Sequence, residues 1–396
     1  MDPDRDYYCS LKFRFLKVDL ESKTTYNCHA SKPHPVNFAW LEKNSGQIFN
    51  TDINVSERKQ MLLNQRNASC EQNCWRAEDH GARSPRQFQN GIAKTHIEPI
   101  TTPEIIDITV GSDCNLTCSY CTKEFSSAWR RDIIDHGAYV ISGYTENRYA
   151  LDSKDRVLVK ISQPQLNQSR HYQELLQEIK RSIPKLKQLV ITGGEPFLNN
   201  QLVDLLSDAS INRELEVEIY TGLGVNITRL DNMLDKLQHI PKLVLKISAE
   251  NINEFLEFNR YGIKHSDFVN KIDVIKQKGI NFSFHSVISN LTIFGFREFY
   301  DYFSNHDITL TFAYQPTMMS PYVLDDDSKL FLEQDLKSLP RKYLTPLMKS
   351  INAKPTDTNR INIGEFLDQF VSRRSDLNLN IYPQNFLNWI GIKNVV

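Results

Sequence analysis

The 396-residue chain has no run approaching the ~20 consecutive apolar residues needed to span a bilayer. Its start, MDPDRDYYCSLKF, lacks the basic and apolar regions of a secretory signal. The expectation is a cytoplasmic protein with no membrane partner. Charge of one sign is also missing, since 47 Lys and Arg stand against 48 Asp and Glu. No overall field then draws the chain to nucleic acid, which is not expected as a partner. Internal repeats and low-complexity tracts are absent too. Cysteine is scarce: there are seven, an odd number, and the 275 residues after Cys121 contain none. A reducing cytosol argues against a disulfide framework, which leaves thiolate chemistry or plain burial.

The few cysteines are grouped. Cys9, Cys28, Cys70 and Cys74 lie in the first quarter, and Cys114, Cys118 and Cys121 lie together. From about residue 105 the chain alternates strand and helix patterns, as parallel βαβ units do. Strands are predicted at 104–110, 188–192, 215–220, 243–248, 281–287 and 309–314, and helices at 171–183, 226–237, 253–260, 266–278 and 296–303. In the first helix Tyr172, Leu175, Leu176, Ile179 and Ile183 share one face. Six strands with crossovers predict an α/β fold with a curved sheet or partial barrel. Residues 122–170 interrupt the rhythm, and the tail from about 325 reads as helical.

The segment IDITVGSDCNLTCSYC sets C-x3-C-x2-C directly after a strand. Three thiolates can each take one iron of a cubane and leave the fourth iron open for a ligand. Zinc, or three unliganded thiols, would fit the same spacing. Further on, LVITGGEPF runs a strand into Gly193, Gly194 and Glu195, where glycine permits close backbone approach.

The triplet, Tyr120 before its last cysteine, and the GGE segment resemble the radical S-adenosylmethionine (SAM) superfamily. That resemblance implies a partial (β/α)6 barrel with a 4Fe-4S cluster on Cys114, Cys118 and Cys121. SAM would be chelated at the open iron, Tyr120 would sit near its adenine, and Gly193, Gly194 and Glu195 would meet its amino group. Ser248 and Glu250 match the positions for ribose and carboxylate contacts, with a strand end and a solvated carboxylate as the alternative. His285, Ser289, Asn290 and residues 314–318 close later strands where the family places adenine and ribose contacts. Ligands in such sheets bind beyond the carboxyl ends of the strands.

Four cysteines remain, enough to ligate a second cluster or one zinc. Cys9 and Cys28 flank a predicted hairpin with its turn at 21–23, and Cys70 and Cys74 form a close pair. The run from Cys70 to Arg86 resembles the CW-x2-E-x2-G-x2-S-x-R segment of twitch domains, at Cys74, Trp75, Glu78, Gly81, Ser84 and Arg86. Here it precedes the core, whereas twitch and SPASM domains usually follow it.

The domain expectation is therefore a twitch-like region at 1–100, a radical SAM core at 101–324 and a helical extension at 325–396. The resemblance implies an enzyme that cleaves SAM reductively to a 5'-deoxyadenosyl radical and modifies a peptide or protein, with a flavodoxin or ferredoxin as electron donor. Action on RNA or a small metabolite, or a non-catalytic iron-sulfur or zinc interaction protein, remains the alternative. His136, Tyr144 and Tyr149 are candidates by location only, with packing as the plainer reading. The pairs Arg130-Arg131 and Arg373-Arg374 are expected as solvated faces.

Overall fold

The structure is a computed structural model that describes residues 7–29, 31–91, 98–144, 147–153, 155, 168–206 and 213–392. Its strands are β1 (Phe15–Asp19), β2 (Thr24–Tyr26), β3 (His34–Pro35), β4 (Ile105–Thr109), β5 (Thr117–Cys118), β6 (Gln188–Thr192), β7 (Glu216–Thr221), β8 (Lys242–Ser248), β9 (Arg260–Tyr261), β10 (Asn281–Ile288) and β11 (Ile308–Phe312). Two compact units are present. The first joins Met1–Gly111, Gln163–Ile219 and Lys236–Val244; the second joins Ser112–Ser162, Tyr220–Asp235 and Leu245–Val396.

In the first unit the strand order is β7-β6-β4-β1-β2-β3. β1, β4, β6 and β7 run parallel, with Phe15 opposite Ile105 and Ile105 opposite Gln188. The predicted hairpin is present: β2 returns antiparallel to β1 through a turn in which Lys23 takes φ 57°. The sequence pattern did not show that β1 lies beside β4. That pairing covers an edge whose backbone groups would otherwise be unpaired. Leu16, Val18, Ile106, Ile108, Leu189 and Ile191 alternate onto one face and are fully buried. The helix Arg170–Ser182 presents Tyr172, Leu175, Leu176 and Ile179 as its buried side, and Ser169 caps it by accepting from the Tyr172 amide.

In the second unit the order is β8-β10-β11, with β10 and β11 parallel and Phe284 opposite Ile308. β5 and β9 form a separate antiparallel pair that sets Cys118 opposite Arg260. The tail is helical at Asp326–Leu336, Arg341–Ile351, Asp357–Ser372 and Gln384–Trp389. From it Phe366 and Phe370 pack on Trp129, with ring centroids 6.2 and 5.9 Å apart. No helix among the described residues is long and apolar enough to cross a membrane.

Candidate functional site

The cysteine triplet lies on a loop of the second unit that its own polar side chains hold in shape. Ser127 Oγ accepts from the Cys114 amide at 3.1 Å and donates to Asp113 Oδ1 at 2.9 Å. Ser126 Oγ donates to the Leu116 carbonyl at 2.8 Å, and the Trp129 indole donates to the Cys118 carbonyl at 3.1 Å. Ser119 is tied to Asn259 through both its amide and its hydroxyl, each at 2.8 Å. Gly262 allows β9 to come close, because a Cβ there would stand 2.9 Å from the Asn115 carbonyl.

Around the thiols stands a buried polar group. Tyr120 donates its hydroxyl to Glu250 Oε1 at 2.8 Å, Arg260 donates to the same tyrosine oxygen, and the Val287 amide donates to Glu250 Oε1 at 3.1 Å. Glu250 Oε2 and Arg260 Nε are buried and have no partner among the described residues. Burial pushes the Cys121 thiol well up, and Cys118 and Cys114 push it further. Burial likewise raises the Glu250 carboxyl, against the pull of Arg260. Three mutually repelling, largely buried thiols beside a buried guanidinium are the donor set that a thiolate-bound metal cluster fits, because iron would take the negative charge that the pocket otherwise resists. Among the described residues no group of three or more His, Cys, Asp or Glu side chains is placed to hold a single metal ion.

Other predicted residues are spread across the two units. Gly193, Gly194 and Glu195 are in the first: Gly193 has φ 150° and a Cβ there would lie 2.7 Å from the Gly111 carbonyl, which also accepts from the Gly194 amide at 2.8 Å. Glu195 is buried and accepts from the Phe197 amide at 3.2 Å. Ser248 ends β8 in the second unit, half-buried. His285 Nε2 lies 2.8 Å from Thr311 Oγ1, and burial with Arg260 and Lys246 nearby lowers its basicity. Ser289 accepts from the Leu291 and Thr292 amides within a local turn, whereas Asn290 donates to the distant Met318 and Val323 carbonyls and its Oδ1 is buried with no partner among the described residues. Tyr314 is exposed, and Met318 is fully buried.

Tyr149 is 2 % exposed and packs on Trp129 and Phe366, while His136 is exposed and its Nδ1 lies 3.1 Å from the Asp132 carbonyl. Both match packing or surface roles. The arginine pairs are a correction except at Arg131, which is exposed as expected. Arg130 and Arg374 are buried, and Arg374 donates to Asp132 Oδ1 at 2.8 Å, Thr117 Oγ1 at 3.2 Å and the Phe370 carbonyl at 2.9 Å. Arg373 donates to Asp132 Oδ2 at 3.0 Å. An arginine on a helix end reads as solvated unless its carboxylate partner, here 242 residues away, is known. Arg260 was missed for the same reason: nothing in its local pattern marks it as facing Cys118.

In the first unit Cys9, Cys70 and Cys74 belong to one buried cluster with Tyr8, Phe13, Phe15 and Trp75, and Cys28 packs against it. The thiols raise one another: Cys9 is pushed up to about 12 by burial, then Cys28 and Cys70, and Cys70 to about 11 by burial, against Lys12. The CW-type run contributes Cys70, Cys74 and Trp75 to this cluster. Glu78 takes two hydrogen bonds from Arg86, at 3.0 and 2.6 Å, and one from Ser84 Oγ, while Arg86 also donates to the Tyr8 carbonyl at 2.6 Å and lies over the Trp75 ring. The tryptophan indole donates to the Asn67 carbonyl at 2.8 Å.

Residues 108–303 match the sequence model of the Radical SAM superfamily, so this segment is a radical SAM domain and the fold is the radical SAM α/β fold. Among individual proteins, 7-carboxy-7-deazaguanine synthase of Clostridium acetobutylicum is 26 % identical over 165 residues, 41 % of this chain and 54 % of that protein. The match thus spans about half of that curated relative. Solved structures with partial similarity include anSMEcpe with bound AdoMet and Kp18Cys peptide, at 14 % identity and TM-score 0.35 over 68 % of this chain and 59 % of that one. Streptococcus suis SuiB bound to its precursor peptide SuiA is similar at 13 % identity and TM-score 0.32, over 92 % of this chain and 70 % of that one.

Proposed function

We propose that this chain binds a 4Fe-4S cluster through Cys114, Cys118 and Cys121 and uses it with SAM to modify a peptide or protein. The observation that carries the reading is the preformed triplet loop, with three thiols gathered beside the buried Tyr120, Glu250 and Arg260. When bound, the cluster and SAM supply a 5'-deoxyadenosyl radical that removes one substrate hydrogen. The chain's own residues orient and exclude. Ser126, Ser127, Asn259 and Trp129 hold the loop. Glu250 Oε2 and Arg260 Nε are free to take a polar ligand, an arrangement suited to holding SAM, with Ser248 nearby in sequence. Gly193, Gly194 and Glu195 are assigned to its amino group from the motif.

A second 4Fe-4S cluster is proposed for Cys9, Cys28, Cys70 and Cys74. Its support is the gathering of three buried thiols, Cys9, Cys70 and Cys74, with the half-buried Cys28 against them, and the twitch-like run that contains Cys74. A twitch-type site favours a sizeable substrate, hence the peptide or protein; an external one-electron donor of the flavodoxin or ferredoxin kind completes the cycle. The similarity to 7-carboxy-7-deazaguanine synthase favours a second reading, a small heterocyclic metabolite as substrate.

The test is anaerobic reconstitution followed by assay of 5'-deoxyadenosine under a strong reductant. Product is expected from the wild type and none above background from Cys114→Ala/Cys118→Ala/Cys121→Ala. Cleavage persisting in that variant would overturn the assignment. Stimulation of turnover by candidate peptides, compared with small heterocycles, separates the two substrate readings.

A further inference from the structure

The first unit buries a lysine beside its thiols. Lys12 has a side chain only 1 % exposed, and its ammonium donates to Glu57 Oε2 at 2.5 Å, Ser69 Oγ at 2.6 Å and Asn27 Oδ1 at 2.9 Å. An ammonium has three protons to donate and accepts none, so these three acceptors satisfy it without water. The network closes on itself, since Asn27 donates to Glu57 and, at 3.2 Å, to Asn54 Oδ1. A buried charge persists only where it is paired and hydrogen-bonded, as this one is.

Among the described residues the network reaches toward Cys70 through Ser69. Ser69 immediately precedes Cys70, and its Oγ lies 4.0 Å from Cys70 Sγ. Of the charges acting on that thiol, Lys12 is the strongest, and it opposes the effect of burial. Asn67 steadies the link by accepting from Ser69 Oγ at 2.7 Å and from the Ser69 amide at 2.9 Å.

We propose that Lys12 is a positioning residue for the amino-terminal four-thiolate site, where its fixed positive charge, linked to Cys70 through Ser69, raises the reduction potential of the metal group held there. The inference rests on the reading that Cys9, Cys28, Cys70 and Cys74 hold a 4Fe-4S cluster. The step is a one-electron reduction by an external donor of the flavin or iron-sulfur class. No bond forms or breaks and no proton moves, so the site becomes more negative by one charge, and the Lys12 ammonium offsets that charge. Low local dielectric makes the offset larger than it would be in water. The second outcome is a closed site: four thiolates on four irons leave no iron open to a substrate.

The experiment uses the full chain, reconstituted anaerobically, with iron and zinc counted and the potentials followed by EPR-monitored redox titration. Two couples and about eight irons per chain are expected in the wild type, by the stoichiometry of two cubanes. In Lys12→Met the amino-terminal couple should move to more negative potential by at least a tenfold change in the reduced-to-oxidised ratio, about 59 mV for one electron. The couple that disappears in Cys114→Ala/Cys118→Ala/Cys121→Ala should not move. Ser69→Ala, which leaves the ion pair in place, should give a smaller shift of the same sign. If Lys12→Met does not fold, Lys12→Met/Glu57→Gln removes both buried charges together and should keep the sign. An unmoved couple in a folded variant with full iron overturns the role of Lys12. About four irons with one zinc in the wild type overturns the second-cluster reading instead, before any variant is made.

Discussion

The two cysteine sites are built in opposite ways. The triplet takes its three thiols from one eight-residue stretch, Cys114 to Cys121, whose backbone is tied by neighbouring serines, an asparagine and a tryptophan. The amino-terminal site collects four thiols from three separate places: before the short turn Ser10–Phe13, after β2, and in the segment around Glu71–Trp75. It is walled by Tyr8, Phe13, Phe15 and Trp75. A loop can keep its shape without metal, whereas a site gathered from distant segments depends on the fold and contributes to it. The buried carboxylates differ too. Glu57 sits against a lysine that holds it below the usual carboxylate value, while burial raises Glu250 despite Arg260.

The largest test of this contrast is to remove the proposed metal ligands from each site in turn. Cys70→Ala/Cys74→Ala should lower the melting temperature of the reconstituted protein far more than the triple change at 114, 118 and 121, since metal binding to a dispersed site is folding energy. Equal losses in the two variants would erase the distinction. If the amino-terminal site serves the substrate, this double variant should also keep uncoupled 5'-deoxyadenosine formation while losing product.

Next in size is the arginine that ties the tail to the triplet loop. Arg374→Met removes one of the two arginines from the largely buried Asp132 side chain and the bond to Thr117, which is adjacent to Cys118. Breaking a buried pair from one side costs about 3 kcal/mol, measured by denaturant unfolding, and retention of iron by the triplet should fall with it. A loss below about 1 kcal/mol would show the tail to be accessory.

The two carboxylates predict opposite pH signs in the metal-free protein. The Glu57 value is depressed on folding, so its contribution is present above the unfolded value near 4.5 and is lost as pH falls through the folded one. The Glu250 value is raised, so its contribution is present below the unfolded value and is lost as pH rises through the folded one. Glu57→Gln should flatten the acid limb of stability against pH, and Glu250→Gln should flatten the decline above about 4.5. The same limb responding to both changes would contradict the contrast.

The smallest effect is expected at Tyr149, whose buried hydroxyl has no partner among the described residues. Tyr149→Phe should leave metal-free stability unchanged or raise it by about 1 kcal/mol, because an unsatisfied polar group is removed. A clear loss on unfolding would mean that the hydroxyl has found a partner.

The sequence by itself determined what is local and periodic. Strands such as Gln188–Thr192 and helices such as the one observed at Arg170–Ser182 were legible, because alternation and the 3.6-residue period record which face is buried. So was the cysteine triplet, since closely spaced cysteines carry their geometry in their spacing, and Gly193, since its place at a strand end demands a close backbone approach. Tertiary structure alone decided which charges were buried and with whom. Lys12 meets Glu57 45 residues on, Tyr120 meets Glu250 130 residues on, and Arg374 meets Asp132 242 residues back. It also decided that β1 lies parallel beside β4 and that Cys118 faces Arg260. A charged side chain looks solvated in sequence because only long-range packing supplies the partner that makes its burial affordable.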